Sequence, residues 1–353
     1  MSYELNSKLS ELVPYEPITE TYKIRLDANE SFINLNDEIK SEISDALSKL
    51  DFNRYPDPYA TATVKAFADL FGISSDYVTA GNGSDELISI ISSCFLEKGD
   101  KIVTLKPDFS MYAFYGSLYE NDVLVYDKNE DLSVDIDELI DFVNNNKAKA
   151  IVFSNPCNPT SVGIMKEDVK KLIKGTDALV ILDEAYMDFW NQSILNEVQD
   201  YDNLIILKTC SKAIGMASVR LGFAVAGKKI TKALRAAKSP YNCDTVSQKI
   251  GEIVLSEKDF LADNLKSIIA SRDYLYSEIM KLSKEYETLG YVYPTVTNFV
   301  FIKSKNAKFI FDELLKSSIA IRYMGEYIRI TAGSMEENKE LLSSMKNILE
   351  NIK

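Results

Sequence analysis

Lys212 sits in the stretch TCSKAIGMASVR (209–220), just after the apolar run LIIL at 204–207. A lysine amine attacks carbonyl carbons, and near neutral pH it does so only if burial or imine formation lowers its hold on the proton. Ser211 and Arg220, from the same stretch, supply a hydroxyl and a guanidinium suited to an anion. Arg220 taken alone reads first as a surface charge. Asp183 ends a second apolar run, ALVIL at 178–182. A carboxylate there is costly unless it meets a cation or a strong donor, although a cap or a structural ion pair would serve as well. GNGSDE (81–86) opens an apolar-periodic segment, with Ser84 or Asp85 near its start. Glycines followed by the free N–H groups of a helix start bind anions, phosphate being the usual occupant, and an ordinary capped turn fits the same letters. Asn158 in SNPCNPTS (154–161) and Tyr186 in DEAYMDF (183–189) add polar groups after two further apolar runs.

The 353 residues contain no histidine, which removes every mechanism that needs imidazole as base, relay or metal ligand. Proton transfer falls to Lys, Tyr, Asp, Glu or Cys. The four cysteines, Cys94, Cys157, Cys210 and Cys243, lie far apart with no CxxC pair, so isolated reduced thiols are expected and no metal site. A net charge of −13 disfavours nucleic acid and anionic membrane surfaces as partners and leaves small molecules. The start MSYELNSKLSELVPYEP lacks the basic and apolar parts of a secretory leader, and no apolar window is long enough to span a bilayer, which predicts a cytoplasmic protein. One ligand uses all the groups named above. Pyridoxal 5′-phosphate has a phosphate, a ring nitrogen that must stay protonated, a phenolic oxygen that needs donors, and an aldehyde that condenses with lysine.

These residues need a scaffold that brings the ends of several strands together. Apolar runs at 101–105, 123–126, 150–154, 178–183, 204–208 and 222–226 alternate with amphipathic segments such as 85–96, 135–145 and 166–173. That alternation predicts an α/β fold with a mostly parallel central sheet flanked by helices, whose ligands bind beyond the carboxyl ends of its strands. After Gly227 the pattern turns helical, with one long helix expected near 250–288 as a connection. Strand-like NFVFIKS (298–304), then IRITAG (328–333) and a last amphipathic helix, predict an appended α+β unit.

From about Pro14 to Asn338 the order of motifs resembles the fold type I, pyridoxal-phosphate-dependent aminotransferases. It runs LDANES (26–31), NRYPDP (53–58), GNGSDE, KPDFSMY (106–112), SNPCNPT, DEAYMDF, TCSKAIGMASVRLGF, SPYNCDTVSQ (239–248) and IRITAGS (328–334). Within that family it is most similar to the histidinol-phosphate aminotransferase branch. The resemblance implies the type I fold, with an N-terminal arm (1–28) joining the small domain, a large cofactor domain (29–250) and a small C-terminal domain (251–353). It implies that Lys212 carries the cofactor as an imine and then shuttles the substrate proton, that Asp183 holds the ring-nitrogen proton, and that Asn158 and Tyr186 donate to the ring oxygen. It places Phe109 over the ring, and gives the phosphate to the N–H groups of Ser84 and Asp85 with Ser211 and Arg220. Tyr55 matches a tyrosine that reaches the neighbouring subunit's cofactor phosphate, which implies a homodimer with shared sites. Arg329 matches the arginine that grips the substrate carboxylate; Arg322, Tyr15 and Asn29 are further substrate-side candidates. The implied reaction is ping-pong transamination, glutamate to imidazole-acetol phosphate.

Three departures from the pattern stand out. The turn usually written NPTG reads NPTS, with Ser161 for glycine, so its shape should differ or its glycine has moved to Gly163. Cys210 replaces a larger apolar residue before Ser211, and the loop RYMGEY (322–327) is short. Aromatic or other amino acids are alternative substrates within the branch. Threonine-phosphate decarboxylation is disfavoured by the absence of a His-Gly-Gly-Asn stretch near the start. A non-catalytic binding module would be expected to lose Lys212 or Asp183, and a dehydrogenase would show a strand-GxGxxG-helix pattern, which GNGSDE does not.

Overall fold

The computed structural model describes residues 3–10, 12, 18 and 20–352, so Tyr15 lies outside the described residues. Seven segments form the main sheet: β1 (Val78–Asn82), β2 (Lys101–Lys106), β3 (Asp122–Asp127), β4 (Ala150–Ser154), β5 (Leu179–Asp183), β6 (Leu204–Thr209) and β7 (Leu221–Ala226). Their order is β1-β7-β6-β5-β4-β2-β3. Only β7 runs against its neighbours; the remaining pairs are parallel. The six expected strands all form, with ends shifted by a residue. The seventh, β1, was not foreseen, because its sequence VTAGN runs into glycine and asparagine letters that read as a turn.

Side chains alternate across this sheet with period two. Leu204, Ile206, Val180, Leu182, Ile151 and Phe153 enter one core layer. Ile205, Leu207, Ile181, Ala150 and Val152 enter another, on the opposite face. Every residue of β6 and β7 is buried, as a sheet covered on both faces demands. Such strands need long apolar runs, and for that reason they were legible from the sequence.

A second, separate core collects Leu275, Ile279, Val300, Ile302, Ile328, Ile330, Leu341 and Met345. Its antiparallel sheet has the order β10-β11-β9-β8, where β8 is Tyr291–Val292, β9 Phe299–Lys303, β10 Arg322–Met324 and β11 Tyr327–Thr331. The final helix, Met335–Glu350, starts on a capping box: Ser334 and Glu337 each satisfy the other's backbone N–H. Near the start of the chain, Ile24–Arg25 pairs in parallel with Ile319–Ala320, so the N-terminal segment joins this core.

Two expectations need correction. The connection is two helices, Thr245–Ser256 and Lys258–Glu285, because Glu257 between them leaves helical geometry at ψ 61°. RYMGEY is a hairpin rather than a loop: Met324 pairs with Tyr327, leaving only Gly325 and Glu326 in the turn, with Gly325 at φ 70°. Between the two cores lies an apolar seam of Tyr186, Phe189, Ala213, Ile268 and Phe299. The carboxyl ends of β4, β5 and β6 open onto that seam.

Candidate active site

The strand ends and the start of helix Gly83–Cys94 enclose a cleft of about 270 Å³. It is lined by Lys212, Asp183, Tyr186, Asn158, Ser84, Asp85, Phe109, Ser211 and Arg220, which is every expected cofactor residue except Tyr55. Tyr55 is 82% exposed and stacks on Tyr241 with ring centroids 4.6 Å apart.

One end of the cleft suits an anion. Helix Gly83–Cys94 follows β1 with no intervening loop, so Ser84 and Asp85 occupy its first turn, where backbone N–H groups lack helical acceptors. Glycine is required twice for this approach. A Cβ on Gly83 (φ 79°) would lie 2.7 Å from the Arg220 guanidinium, and one on Gly222 would lie 2.4 Å from the Ser84 nitrogen. Arg220, itself at φ 53°, reaches over the helix start: Nη1 donates to Ser211 Oγ (3.5 Å) and Ala217 O (3.1 Å), and Nη2 to Asp85 Oδ2 (3.3 Å). The Thr209 hydroxyl donates to Ser211 Oγ at 3.1 Å and accepts from the Ser211 N–H at 3.1 Å, which fixes that hydroxyl at the strand end.

At the other end, Asp183 is 4% exposed. Tyr112 Oη donates to its Oδ2 at 2.8 Å, and the Ala185 N–H donates to Oδ1 at 2.9 Å. Burial outweighs these donors and pushes the carboxyl up to about 6. The site therefore holds a carboxylate whose immediate donors are neutral, and a cationic N–H donor in the cleft would relieve its cost. Burial and the neighbouring Asp183 charge in turn push the Tyr112 phenol well above its ordinary value.

Sequence reasoning did not single out Tyr112, although it lies three residues after Phe109 in KPDFSMY and its ring meets Phe109 edge-on at 5.5 Å. It also missed Asp108. That buried carboxylate accepts from the Phe109 N–H (2.8 Å) and from the Ser154 hydroxyl, and has the buried Lys128 ammonium 3.7 Å away. The Ser154 hydroxyl then accepts from the Asn158 N–H at 3.1 Å, so one buried group steadies two walls of the cleft. Lysine and aspartate 20 residues apart carry no local signal that they will pair.

Lys212 Nζ donates to Ala28 O at 3.0 Å and lies 5.8 Å from the centre of the Tyr186 ring. Asn29 Nδ2 donates to Tyr186 Oη at 2.8 Å, leaving the phenol its own proton to give, and Asn29 Oδ1 accepts from the Thr331 hydroxyl at 3.1 Å. Asn29 therefore stands behind Tyr186 and not in the cleft lining. Arg329 Nη1 donates to Asn158 Oδ1 at 2.5 Å and Nη2 to Asp27 O at 2.8 Å. Arg322 is paired directly opposite Arg329 across the hairpin, so both guanidiniums leave the same face of the sheet.

The NPTS turn keeps the shape expected of glycine. Ser161 adopts φ 63° while fully buried, and the turn needs no displaced glycine. Gly163 has a different reason for being glycine: a Cβ there would lie 2.1 Å from the Trp190 ring. Cys210 is buried in the larger core, and the structure offers no functional reason for a thiol there. All four cysteines are free. Among the described residues, no acidic, cysteine or histidine cluster is placed to hold a metal, and no helix is long and apolar enough to cross a membrane.

Residues 21–345 match the family described as Aminotransferase class I and II. The chain belongs to this aminotransferase family. This aminotransferase is 44% identical over 338 residues to the histidinol-phosphate aminotransferase of Clostridium novyi, covering 94% of each chain. It is 39% identical over 347 residues to that of Clostridium kluyveri, covering 97% of each. Among solved structures it superposes with a TM-score of 0.89 on the histidinol-phosphate aminotransferase of Sinorhizobium meliloti in complex with pyridoxal-5′-phosphate, at 21% identity and covering 100% of this chain and 99% of that one. L-threonine-O-3-phosphate decarboxylase from Porphyromonas gingivalis also shares the fold (TM-score 0.78, 19% identity, 93% of this chain and 100% of that one), so the fold alone does not separate the two reactions.

Proposed function

We propose that the chain is a pyridoxal-phosphate-dependent histidinol-phosphate aminotransferase, which moves an amino group between glutamate and imidazole-acetol phosphate. The observation that carries the reading is one cleft holding a buried Asp183 with only neutral donors, an anion-binding helix start, and Lys212. That donor set fits the cofactor group by group. Ser84 and Asp85 N–H groups, Ser211 and Arg220 would hold its phosphate; Asp183 its ring N–H; Asn158 and Tyr186 its phenolic oxygen; Phe109 its ring face; and Lys212 its aldehyde carbon. When bound, the cofactor supplies an aldehyde that condenses with amines and a protonated ring that draws electrons from the substrate's α-carbon.

The chain's own residues do the rest. Asp183, 4% exposed, would keep the ring nitrogen protonated, since ionisation of a buried carboxylate is favoured by a cation beside it. Lys212 Nζ, once free as an amine, would be the base that takes the substrate's α-proton and the acid that delivers it to the cofactor's aldehyde-derived carbon. With no histidine in the chain, no imidazole competes for that task. Arg329, a planar fork with two fixed acceptors at Asn158 and Asp27, is oriented for a carboxylate. Arg322, opposite it in the hairpin, supplies a second cation on the same face for a substrate that also carries phosphate.

The two separate cores support a large domain and a small domain joined by the N-terminal arm (1–28), but Ile253, Val254, Leu255 and Leu261 pack in the larger core, so the expected division at 29–250 and 251–353 falls too early in the chain. The exposed Tyr55, with Phe52, Tyr59 and Tyr241 also exposed, supports a homodimer in which this face meets a second copy. Four free cysteines, three of them buried, suit a reducing, cytoplasmic setting.

The test supplies purified protein and pyridoxal phosphate with glutamate and imidazole-acetol phosphate, and follows 2-oxoglutarate. Parallel double-reciprocal lines support the reading, and intersecting lines contradict it. Carbon dioxide released from O-phosphothreonine without 2-oxoglutarate formation would replace transamination by decarboxylation.

A further inference from the structure

Ser161 combines two features that rarely meet: a left-handed backbone without glycine, and complete burial. Its hydroxyl lies 2.7 Å from Thr295 Oγ1 and 2.7 Å from Thr297 Oγ1, and accepts from the Val296 N–H at 3.1 Å. The Thr295 hydroxyl is committed to Phe299 O at 2.6 Å. A hydroxyl has one proton to give and two lone pairs to receive with, so Ser161 must donate to Thr295. Its lone pairs then take the Val296 N–H and the Thr297 hydroxyl, whose proton has a shorter path to Ser161 at 2.7 Å than to Phe299 O at 3.3 Å. The order Thr297 to Ser161 to Thr295 to Phe299 O uses every proton and leaves no polar atom of Ser161 unmet.

This chain of hydroxyls spans the seam between the two cores. Ser161 closes the turn that begins at Ser154 and carries Asn158, and its own N–H donates to Cys157 O at 2.8 Å. Residues 295–297 lead directly into β9, whose Phe301 is in register with Arg329 on β11. Arg329 returns across the same seam to Asn158. The neighbouring Asn298 amide donates to Asn29 O at 3.2 Å, and Asn29 holds Tyr186. Two links thus tie the Asn158 turn to the strands that carry Arg329: the arginine itself and the Ser161 clasp.

We propose that Ser161 is a positioning residue, whose buried hydroxyl sets the register of the 295–299 segment against the Asn158 turn and thereby presents Arg329 to the substrate carboxylate. The proposal rests on the transaminase reading, in which Arg329 receives that carboxylate. The hydroxyl explains why serine holds a glycine conformation: losing it would leave the Val296 N–H and two threonine hydroxyls with poorer partners inside protein.

Ser161→Gly is the decisive variant, because it relaxes the backbone while removing the clasp. Thr297→Val, which leaves the turn itself unchanged, is the second. The holoenzyme of each is titrated with L-glutamate by the change in cofactor absorbance, and unfolding midpoints are recorded in parallel. Loss of one buried link, worth about a factor of ten, predicts that both variants need roughly tenfold more L-glutamate for half-saturation, with kcat within about twofold of wild type. Ser161→Ala, which keeps the backbone strain and loses the clasp, should show the same shift with a lower unfolding midpoint. A purely structural role predicts altered unfolding midpoints with unchanged half-saturation in Ser161→Gly and Thr297→Val, and that result overturns the proposal. If wild type itself gives no spectral response to L-glutamate, the transaminase reading fails instead.

Discussion

Replacing Asp183 by asparagine should stabilise the cofactor-free protein at neutral pH, even though it removes a group central to the proposed chemistry. The carboxyl titrates at about 6 in the folded chain against an ordinary 3.8, chiefly because burial penalises its charge. A carboxyl raised in this way favours folding below its unfolded value, near 4, and that contribution is lost as pH climbs through 6. The interval of roughly two pH units, at about 1.4 kcal/mol each, gives about 3 kcal/mol against the folded wild type at pH 8. Asparagine has no such titration. Its oxygen can still accept from the Ala185 N–H, and Tyr112 can turn to accept from its amide. Urea unfolding of both cofactor-free proteins from pH 4.5 to 8 measures the difference, in which all other titrations cancel. The variant should gain on wild type by about 2 kcal/mol across that range, nearly all of it between pH 4.5 and 7, the rest of the difference falling below pH 4.5. Pyridoxal phosphate at about a hundred times its Kd should then add about 2.7 kcal/mol to wild type and much less to the variant. A difference that does not vary with pH, or a variant less stable at pH 8, would refute the assignment of a buried ion with neutral donors.

Three further outcomes follow from the same geometry. Tyr112→Phe removes the phenol that stabilises ionised Asp183, so the midpoint of that pH-dependent difference should rise by about one pH unit, checked by the same urea series. Gly222→Ala drives a Cβ onto the Ser84 nitrogen, a backbone atom that cannot step aside cheaply. Pyridoxal phosphate affinity, read by fluorescence titration, should fall at least about tenfold with far-ultraviolet circular dichroism unchanged. Arg329→Lys cannot keep both the Asn158 and Asp27 contacts, so KM for glutamate should rise about 30- to 100-fold with a smaller change in kcat.

The sheet was legible because parallel strands buried on both faces must be nearly all apolar, and LVILD, LIILKT and LGFAVA could hardly be anything else. β1 was not, since VTAGN earns its place by pairing with β7 and not by its own composition. Lys212, Asp183, Asn158 and Tyr186 were legible because each follows an apolar run, and strand ends converge in this architecture. Tyr112, Asp108 and Lys128 escaped because their meaning lies in partners distant in sequence: Tyr112 and Asp183 are separated by 71 residues. Asn29 read as a substrate-side group, whereas its two side-chain ends are taken by Tyr186 and Thr331, contacts that only tertiary structure creates. Ser161 is the sharpest case. A letter that looked like a change of turn shape is instead the same turn with a hydroxyl clasp built onto it.

Reducing the purified protein with borohydride in the presence of pyridoxal phosphate, then mapping the peptides by mass spectrometry, decides whether Lys212 carries the cofactor in a transaminase site. A visible absorbance band that bleaches on reduction and one adduct, on Lys212, are expected. A reduced adduct on any other lysine, or no band and no adduct at all, would contradict that role.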